Sequence, residues 1–399
     1  MRRALFIAAV TIVLVGIGVF VYFSFFANRA AVVVAPSPSP TLPIAGDVGG
    51  AAGSNASTTP VSPESGVNAP PRLAQITKGP VVPGEVLVNI DAAASSTRDV
   101  LVSYIERQSG NVFHYSVAAG NITRTSNRTL PGIQSAEWLP NGSAVFVRYL
   151  SGDDSATINT YALPANGTSG FFLPQNLADI AVSSTSVLTL AASSNGSVGA
   201  VNPTNAARST TVFTTALSSL RVGFVGTTHY LVFTKPTASL AGDVFLVDKK
   251  GVFARLFGPA HGLVALPSHS GKWVLVSYVD NASMQMRLVD TATGETLSLP
   301  LSTIADKCAW TLDDRAVYCG VPTDPPITYT YPDDWYQGAV HFSDRLWEID
   351  VAGRFAKLVL DFSATTKASL DAQALALDPA QTTLVFMNRN DGALWAYRL

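Results

Sequence analysis

An apolar hairpin that returns along the chain limits the possible folds more than any other feature. Its sharpest copy runs from Ala136 to Val147 through Trp138-Leu139-Pro140-Asn141-Gly142; others run from Ala309 to Tyr318 and from Leu377 to Phe386. In each, a strand of buried character meets a turn carrying Pro, Asn, Asp or Gly, and a second apolar strand leaves it. Between Trp138 and Trp310 the pattern returns about every 42 residues. A second element alternates with it, an apolar strand ending in a Gly turn, as in Phe245–Gly251, Arg287–Gly294 and Trp347–Gly353. Looser copies end at Gly120, at Gly167 and near Asn205, and the last, Trp395–Leu399, stops with the chain.

Four strands in a repeat of about 40–45 residues is the pattern of a β-propeller blade. One such sheet has a face it cannot bury alone, so blades must stack radially. The repeats fall at about residues 82–131, 132–176, 177–216, 217–259, 260–302 and 303–366, with a seventh from about 368. That seventh repeat has room for three strands before Leu399, which would leave an open edge. Leu73-Ala74-Gln75-Ile76-Thr77 is a spare strand without a hairpin partner, and it is expected to complete the last blade and close the ring. The expectation is an all-β domain over residues 72–399, a seven-bladed β-propeller. Six blades is the alternative, because the third repeat is Ser-rich and weakly patterned.

The hairpin Trp138-Leu139-Pro140-Asn141-Gly142 resembles the Trp-Ser-Pro-Asp-Gly hairpin of TolB-type, tryptophan-aspartate-like propeller repeats. The layout as a whole is similar to uncharacterised membrane-anchored propeller proteins of bacteria. The resemblance implies a fold and a location; it implies no reaction, because propellers host many functions.

Ahead of the repeats, Ala4 to Phe26 carries no charged residue. As a helix it would span roughly 34 Å, enough for a hydrocarbon core of about 30 Å. Arg2 and Arg3 precede it, and Arg29 is the only basic residue between it and Arg72. The positive-inside rule then leaves the N-terminus in the cytoplasm and the rest across the plasma (inner) membrane. Residues 1–26 are therefore expected to be a cytoplasmic tip and one transmembrane helix. A cleaved signal peptide is the alternative, opposed by the apolar length and by the bulky Tyr22, Phe23, Phe25 and Phe26 where cleavage favours small residues. Residues 27–71, rich in Pro, Ser, Gly and Ala, are expected to be a disordered tether.

Composition narrows the partners. Charged residues make up only 14% of the chain and the formal net charge is −2. No basic excess exists to neutralise phosphates, so nucleic acid is not an expected partner.

Cys308 and Cys319, the only cysteines, flank Asp313-Asp314 symmetrically. A two-residue hairpin there would set them opposite each other, within disulfide reach at about 4.5 Å between α-carbons. An extracytoplasmic compartment would allow the bond. Two buried free thiols are the alternative, and a metal site lacks further ligands at suitable spacing.

The sixth repeat is interrupted between Cys319 and Asp344. Tyr329, Tyr331, Asp333, Asp334, Trp335, Tyr336 and His341 concentrate there, where a loop is ordinarily small and polar. Three readings stand: the aromatics pack the insertion onto its own blade while Asp333 and Asp334 make a turn; they form a binding surface for protein, peptide or glycan; or Asp324, Asp333, Asp334, His341 and Asp344 form a catalytic or metal site. No Asp-x-Asp-x-Asp-Gly loop supports the last.

No Gly-x-Ser-x-Gly elbow, phosphate-binding loop, dinucleotide fingerprint or His-Glu-x-x-His is present. No catalytic residue, cofactor or metal site is therefore assigned. The functional expectation is an extracytoplasmic binding or scaffold module, with the sixth-repeat insertion as its contact. The alternative is a glycan- or peptide-directed hydrolase or lyase with carboxylates near the propeller axis. Paired Asp or Glu at comparable positions of several repeats would support it, and none stands out.

Overall fold

The protein is described by a computed structural model covering residues 71–91, 98–126, 130–152 and 155–399. The expected membrane helix and tether lie outside the described residues. Among those described, no helix is long and apolar enough to cross a membrane.

The strands pair antiparallel into small sheets, each meandering in sequence order. The first holds Val86–Asp91, Arg98–Ile105, Val112–Ser116 and Ile122–Arg124; the second Ile133–Trp138, Ala144–Ser151, Thr157–Pro164 and Phe171–Phe172; the third Leu177–Val182, Ser186–Ser193, Gly196–Pro203 and Thr210–Thr215. A seven-stranded sheet follows: Leu220–Val225, His229–Thr234, Ala241–Val247, Phe253–Pro267, Trp273–Asp280, Ser283–Asp290 and Thr296–Ser298. Its long central strand serves two repeats, ending one and opening the next, with a register break between His261 and Val264. Cys308–Trp310, Ala316–Pro322, Asp344–Asp350 and Ala356–Asp361 make the next sheet.

The final sheet takes strands from both ends of the domain. Ala372–Leu377, Thr383–Asn388 and Leu394–Arg398 are completed at the edge by Leu73–Gln75. Leu73 faces Tyr397, Ala74 faces Ala396 and Gln75 faces Trp395. Arg398 N donates to Arg72 O at 2.9 Å and Ile76 N to Leu394 O at 2.8 Å, extending the ladder at both ends.

Apolar seams between consecutive sheets hold the array together. Ile105 and Val112 meet Ile133 and Val145; Phe146 and Leu139 meet Leu177 and Val187; Leu188 and Phe213 meet Leu220 and Val247. Leu231 and Phe233 meet Val274 and Val276 across the long strand, and Leu275 and Leu288 meet Val317 and Ile349. Leu346 meets Leu384 and Tyr397. The last seam joins the end to the beginning, with Val385 and Leu394 against Leu87 and Val102. Apolar burial of this kind is the dominant favourable contribution to folding.

The recurrent hairpins share one turn. Gly142 N donates to Leu139 O, Gly271 N to Ser268 O, Asp314 N to Thr311 O and Gln381 N to Asp378 O. The fourth residue of each has positive φ, from 57° to 79°. Gly suits that conformation, while Asp314 and Gln381 adopt it with a β-carbon. The turn between the cysteines is therefore longer than the two-residue hairpin expected, because Asp314 closes a bond back to Thr311. The symmetry survives: Cys308 pairs with Cys319, and the two form a disulfide with α-carbons 4.1 Å apart.

Candidate functional site

The sixth-repeat insertion folds inward. Asp333 and Asp334, expected to make a turn, open a short helix, Asp333–Gln337, ended by Gly338 in the left-handed conformation. Two acidic residues in the first turn suit the positive end of a helix. Asp334 accepts from Thr330 N at 2.6 Å. Asp333 reaches a loop two repeats back, accepting from Thr237 Oγ1 at 2.8 Å and Ala238 N at 2.6 Å.

Trp335 is only 2% exposed and Tyr331 only 6%, so neither offers its ring as a contact surface. This agrees with the reading in which the aromatics pack the insertion, and not with an outward aromatic face: the rings bury the insertion against the core of the fifth and sixth repeats. Tyr331 donates to Pro326 O at 2.7 Å and packs on Phe342. Tyr329 and His341 remain exposed. His341 borders a separate outer groove with Asp324 and Arg345.

A buried charge cluster anchors the helix. Lys307, Asp344 and Asp371 are fully buried. Lys307 Nζ lies 2.8 Å from Asp344 and also bonds Asp371. Trp335 Nε1 donates to Asp371 at 3.1 Å, as does Phe342 N at 3.0 Å. The ammonium lies over the Trp335 and Phe342 rings, 5.1 and 5.2 Å from their centroids. Burial pushes the Asp344 carboxyl up to about 6, against the downward pull of Lys307.

Beyond Trp335 the helix faces the central channel. A cavity of about 490 Å³ there is lined by the first strands of several repeats together with Trp335 and Tyr336. Tyr336 Oη donates to Asp306 at 2.8 Å, and Arg221 binds the same carboxylate oxygen at 2.8 Å. Arg389 lies 4.6 Å from the Trp335 ring centroid and donates to the Trp335 and Tyr336 carbonyls and to Gln373. Asp179 accepts from Val222 N at 2.9 Å and lies 3.9 Å from Arg148.

Two further carboxylates line the cavity, Glu85 and Glu137. Glu85 is only 8% exposed and neither carboxylate oxygen has a hydrogen-bond partner. Burial holds its carboxyl well above the usual range. Glu137 is open to the channel yet walled by protein. Loss of bulk water and then Asp179 push it up to about 7, while Arg221 and Arg148 pull it down. Asp179 is likewise raised, by burial first.

Local backbone features aim these groups. Register shifts interrupt three first strands, between Ile133 and Ser135, Leu177 and Asp179, and Gln373 and Ala376. Such bulges redirect side chains. Ala374, in the last of them, has φ +51°. Ala136 N donates to Pro83 O, and a β-carbon at Gly84, whose φ is +105°, would collide with the Ala136 carbonyl. This close crossing brings the Glu85 and Glu137 backbones alongside each other.

The sequence reading passed over this carboxylate set. A signal was present: charges interrupt or just precede otherwise apolar first strands, singly in Gly84-Glu85-Val86, Ala136-Glu137-Trp138, Ala178-Asp179-Ile180 and Leu220-Arg221-Val222, and as a pair in Ala305-Asp306-Lys307.

No protein-family model and no curated protein matches the sequence. Among solved structures, an oligogalacturonate lyase in complex with manganese superposes with TM-score 0.53 at 10% identity, covering 80% of this chain and 96% of its own. An oligogalacturonate lyase from Vibrio parahaemolyticus gives 0.52 at 8%, covering 81% and 98%. TolB from Acinetobacter baumannii gives 0.44 at 9%, covering 68% and 78%. At such identities the likeness to the two lyases shows the fold alone, a β-propeller. Among the described residues, no group of three or more His, Cys, Asp or Glu is arranged to hold a metal ion.

Proposed function

We propose that the chain is a membrane-tethered, extracytoplasmic seven-bladed β-propeller that acts as a binding module, with the mouth of its central channel as the contact. Dividing the seven-stranded sheet at its register break gives four strands to each of seven blades, the shared strand serving two. The seven apolar seams, including the one from last sheet to first, support that count. The tether and membrane anchor rest on the apolar run Ala4–Phe26 and the Pro-rich stretch after it.

One observation carries the functional reading: ionisable side chains on or beside the first strands converge on one cavity, where the sixth-repeat insertion caps them. Unpaired buried carboxylates destabilise a fold, and residues of that kind cluster at functional sites. The insertion serves as the rim of the site rather than its surface.

The test is an array of peptides and glycans probed with the full chain in detergent. Binding of one ligand class that Glu137→Gln or Arg221→Ala weakens is the expected result. An array on which nothing binds, or binding indifferent to both substitutions, contradicts the reading.

A second reading is a glycan-directed lyase or hydrolase at the same mouth. It is favoured by carboxylates of raised pKa in the channel, suited to general acid or base work near neutral pH. Incubation with oligosaccharides and chromatography of the products separates the two: cleavage that Glu137→Gln abolishes would make the site catalytic.

A further inference from the structure

Lys307 does not line the channel cavity. Its side chain has no exposed surface, and neither have those of Asp344 and Asp371. Lysine is almost never buried so completely, and an ion cluster in a dry core is costly even when its charges are paired. Nζ donates to Asp371 Oδ1 and, at 3.0 Å, to Ala372 O, and it lies 2.8 Å from Asp344 Oδ2. The two carboxylates are set up differently. Asp371 Oδ2 accepts from Phe342 N at 3.0 Å and from Trp335 Nε1 at 3.1 Å, while Oδ1 meets the amine. Asp344 Oδ2 accepts from Ala372 N at 2.7 Å, and its Oδ1 has no partner.

We propose that Lys307 and Asp371 condense into an amide, a covalent cross-link between the sixth and seventh repeats, with Asp344 as the proton carrier. One ammonium proton passes to Asp371 Oδ1 along their hydrogen bond, leaving an amine beside a carboxylic acid. The Nζ lone pair attacks Cγ, and negative charge collects on Oδ2, where Phe342 N and Trp335 Nε1 already donate. Asp344 takes a second proton from the now positive Nζ and passes it to Oδ1. The Cγ–Oδ1 bond breaks with its electron pair on the oxygen, and water leaves. The third hydrogen stays on the amide nitrogen. An ammonium and a carboxylate thus become an amide and one water, with no oxidant or co-reactant, and Asp344 ends as it began. Burial holds the Asp344 carboxyl up at about 6, which suits a group that takes and returns a proton. The step removes two buried charges. The Trp335 and Phe342 rings beside the amine exclude the water that would reverse it. The joined residues lie 64 positions apart, so the bond also ties off a long loop of the unfolded chain.

Peptide mass mapping of the full chain, unfolded in denaturant with Cys308–Cys319 reduced, tests this. The expected map joins the peptide holding Lys307 to the peptide holding Asp371, at their summed mass less one water, with no tryptic cut after Lys307. Lys307→Arg and Asp371→Ala are expected to release the two peptides. Asp344→Asn keeps the side-chain volume but cannot carry the proton, so most of its chains are expected to stay unlinked. Two separate peptides from the wild-type chain, with Lys307 open to acetylation after unfolding, overturn the proposal and leave a plain ion cluster. A link from Lys307 to Asp344 overturns the assignment of roles, as does complete linkage in Asp344→Asn. The wild-type map reads the bond by itself, so a variant that fails to fold does not obscure it.

Discussion

At the scale of single residues, the channel geometry depends on backbone positions that tolerate no side chain and on carboxylates held away from bulk water. Gly84 is the clearest of the former. Its φ of +105° and its approach to the Ala136 carbonyl leave no room for a β-carbon. Gly84→Ala is expected to lower stability by about 1–3 kcal/mol, the usual cost of one strained residue, or more if the chain must move. Gly120 has φ +68° with nothing nearby, so Gly120→Ala should cost about 1 kcal/mol or less. Equal melting temperatures for the two variants would contradict the close crossing. Titration gives a second residue-level expectation. Glu85, Glu137, Asp179 and Asp344 all have raised pKa in the folded state, Asp344 to about 6 and Glu137 to about 7. The folded chain then binds protons more tightly than the unfolded one, and their contribution to stability falls as pH rises from about 4 toward 7. Asp290, Asp313 and Asp361 are shifted downward, mainly by hydrogen bonds. They lie at the surface, so their opposite contribution, lost only as pH falls below about 4, is small. The melting temperature is expected to peak at mildly acidic pH and fall toward neutrality, with the slope reduced in the Glu85→Gln, Glu137→Gln double variant. A melting temperature that climbs steadily from pH 4 to 7 would sink this.

At the scale of elements, the sixth-repeat insertion is a structural cap. Trp335 is buried between Arg389, Lys307 and Asp371. Trp335→Ala is expected to cost about 3–5 kcal/mol, the range for truncating a buried aromatic, and to loosen the rim through Tyr336. A calorimetric change of less than about 1 kcal/mol would show the ring to be peripheral. Here the sequence was informative to different depths. The hairpins were legible because each is local: a strand, a turn with Pro, Asn, Asp or Gly, and a strand, within about a dozen residues. The Cys308–Cys319 pairing was legible for the same reason, even with the turn misjudged by two residues. The role of the insertion was not. Its aromatics identify it as distinctive, but whether Trp335 points out or in is decided by Lys307, Asp371 and Arg389, which come from other parts of the chain. The carboxylate set was hidden likewise: Arg221 and Asp306 are separated by 85 positions, and no local pattern announces that the strand Leu220–Val225 and the turn Ala305–Lys307 face one another.

At the scale of the whole molecule, the ends of the domain meet. A four-stranded sheet lacking its outer strand would expose a row of unpaired backbone groups, and Leu73–Gln75 covers that edge. The seam of Val385 and Leu394 against Leu87 and Val102 joins the same sheet to the first repeat. Closure gives the channel its fixed mouth, because the first strands cannot splay without breaking a seam. It also explains how a site can draw on residues from Glu85 to Arg389 and still hold one geometry. The most direct measurement is a cross-link between the two ends. Gln75 and Trp395 face each other in the ladder, in register suited to a disulfide. The Gln75→Cys, Trp395→Cys variant, purified without reductant and mapped by peptide mass spectrometry, should show those two residues joined within one chain. Free thiols at both positions, or links only between chains, would mean that the ring is not closed by its own N-terminal strand.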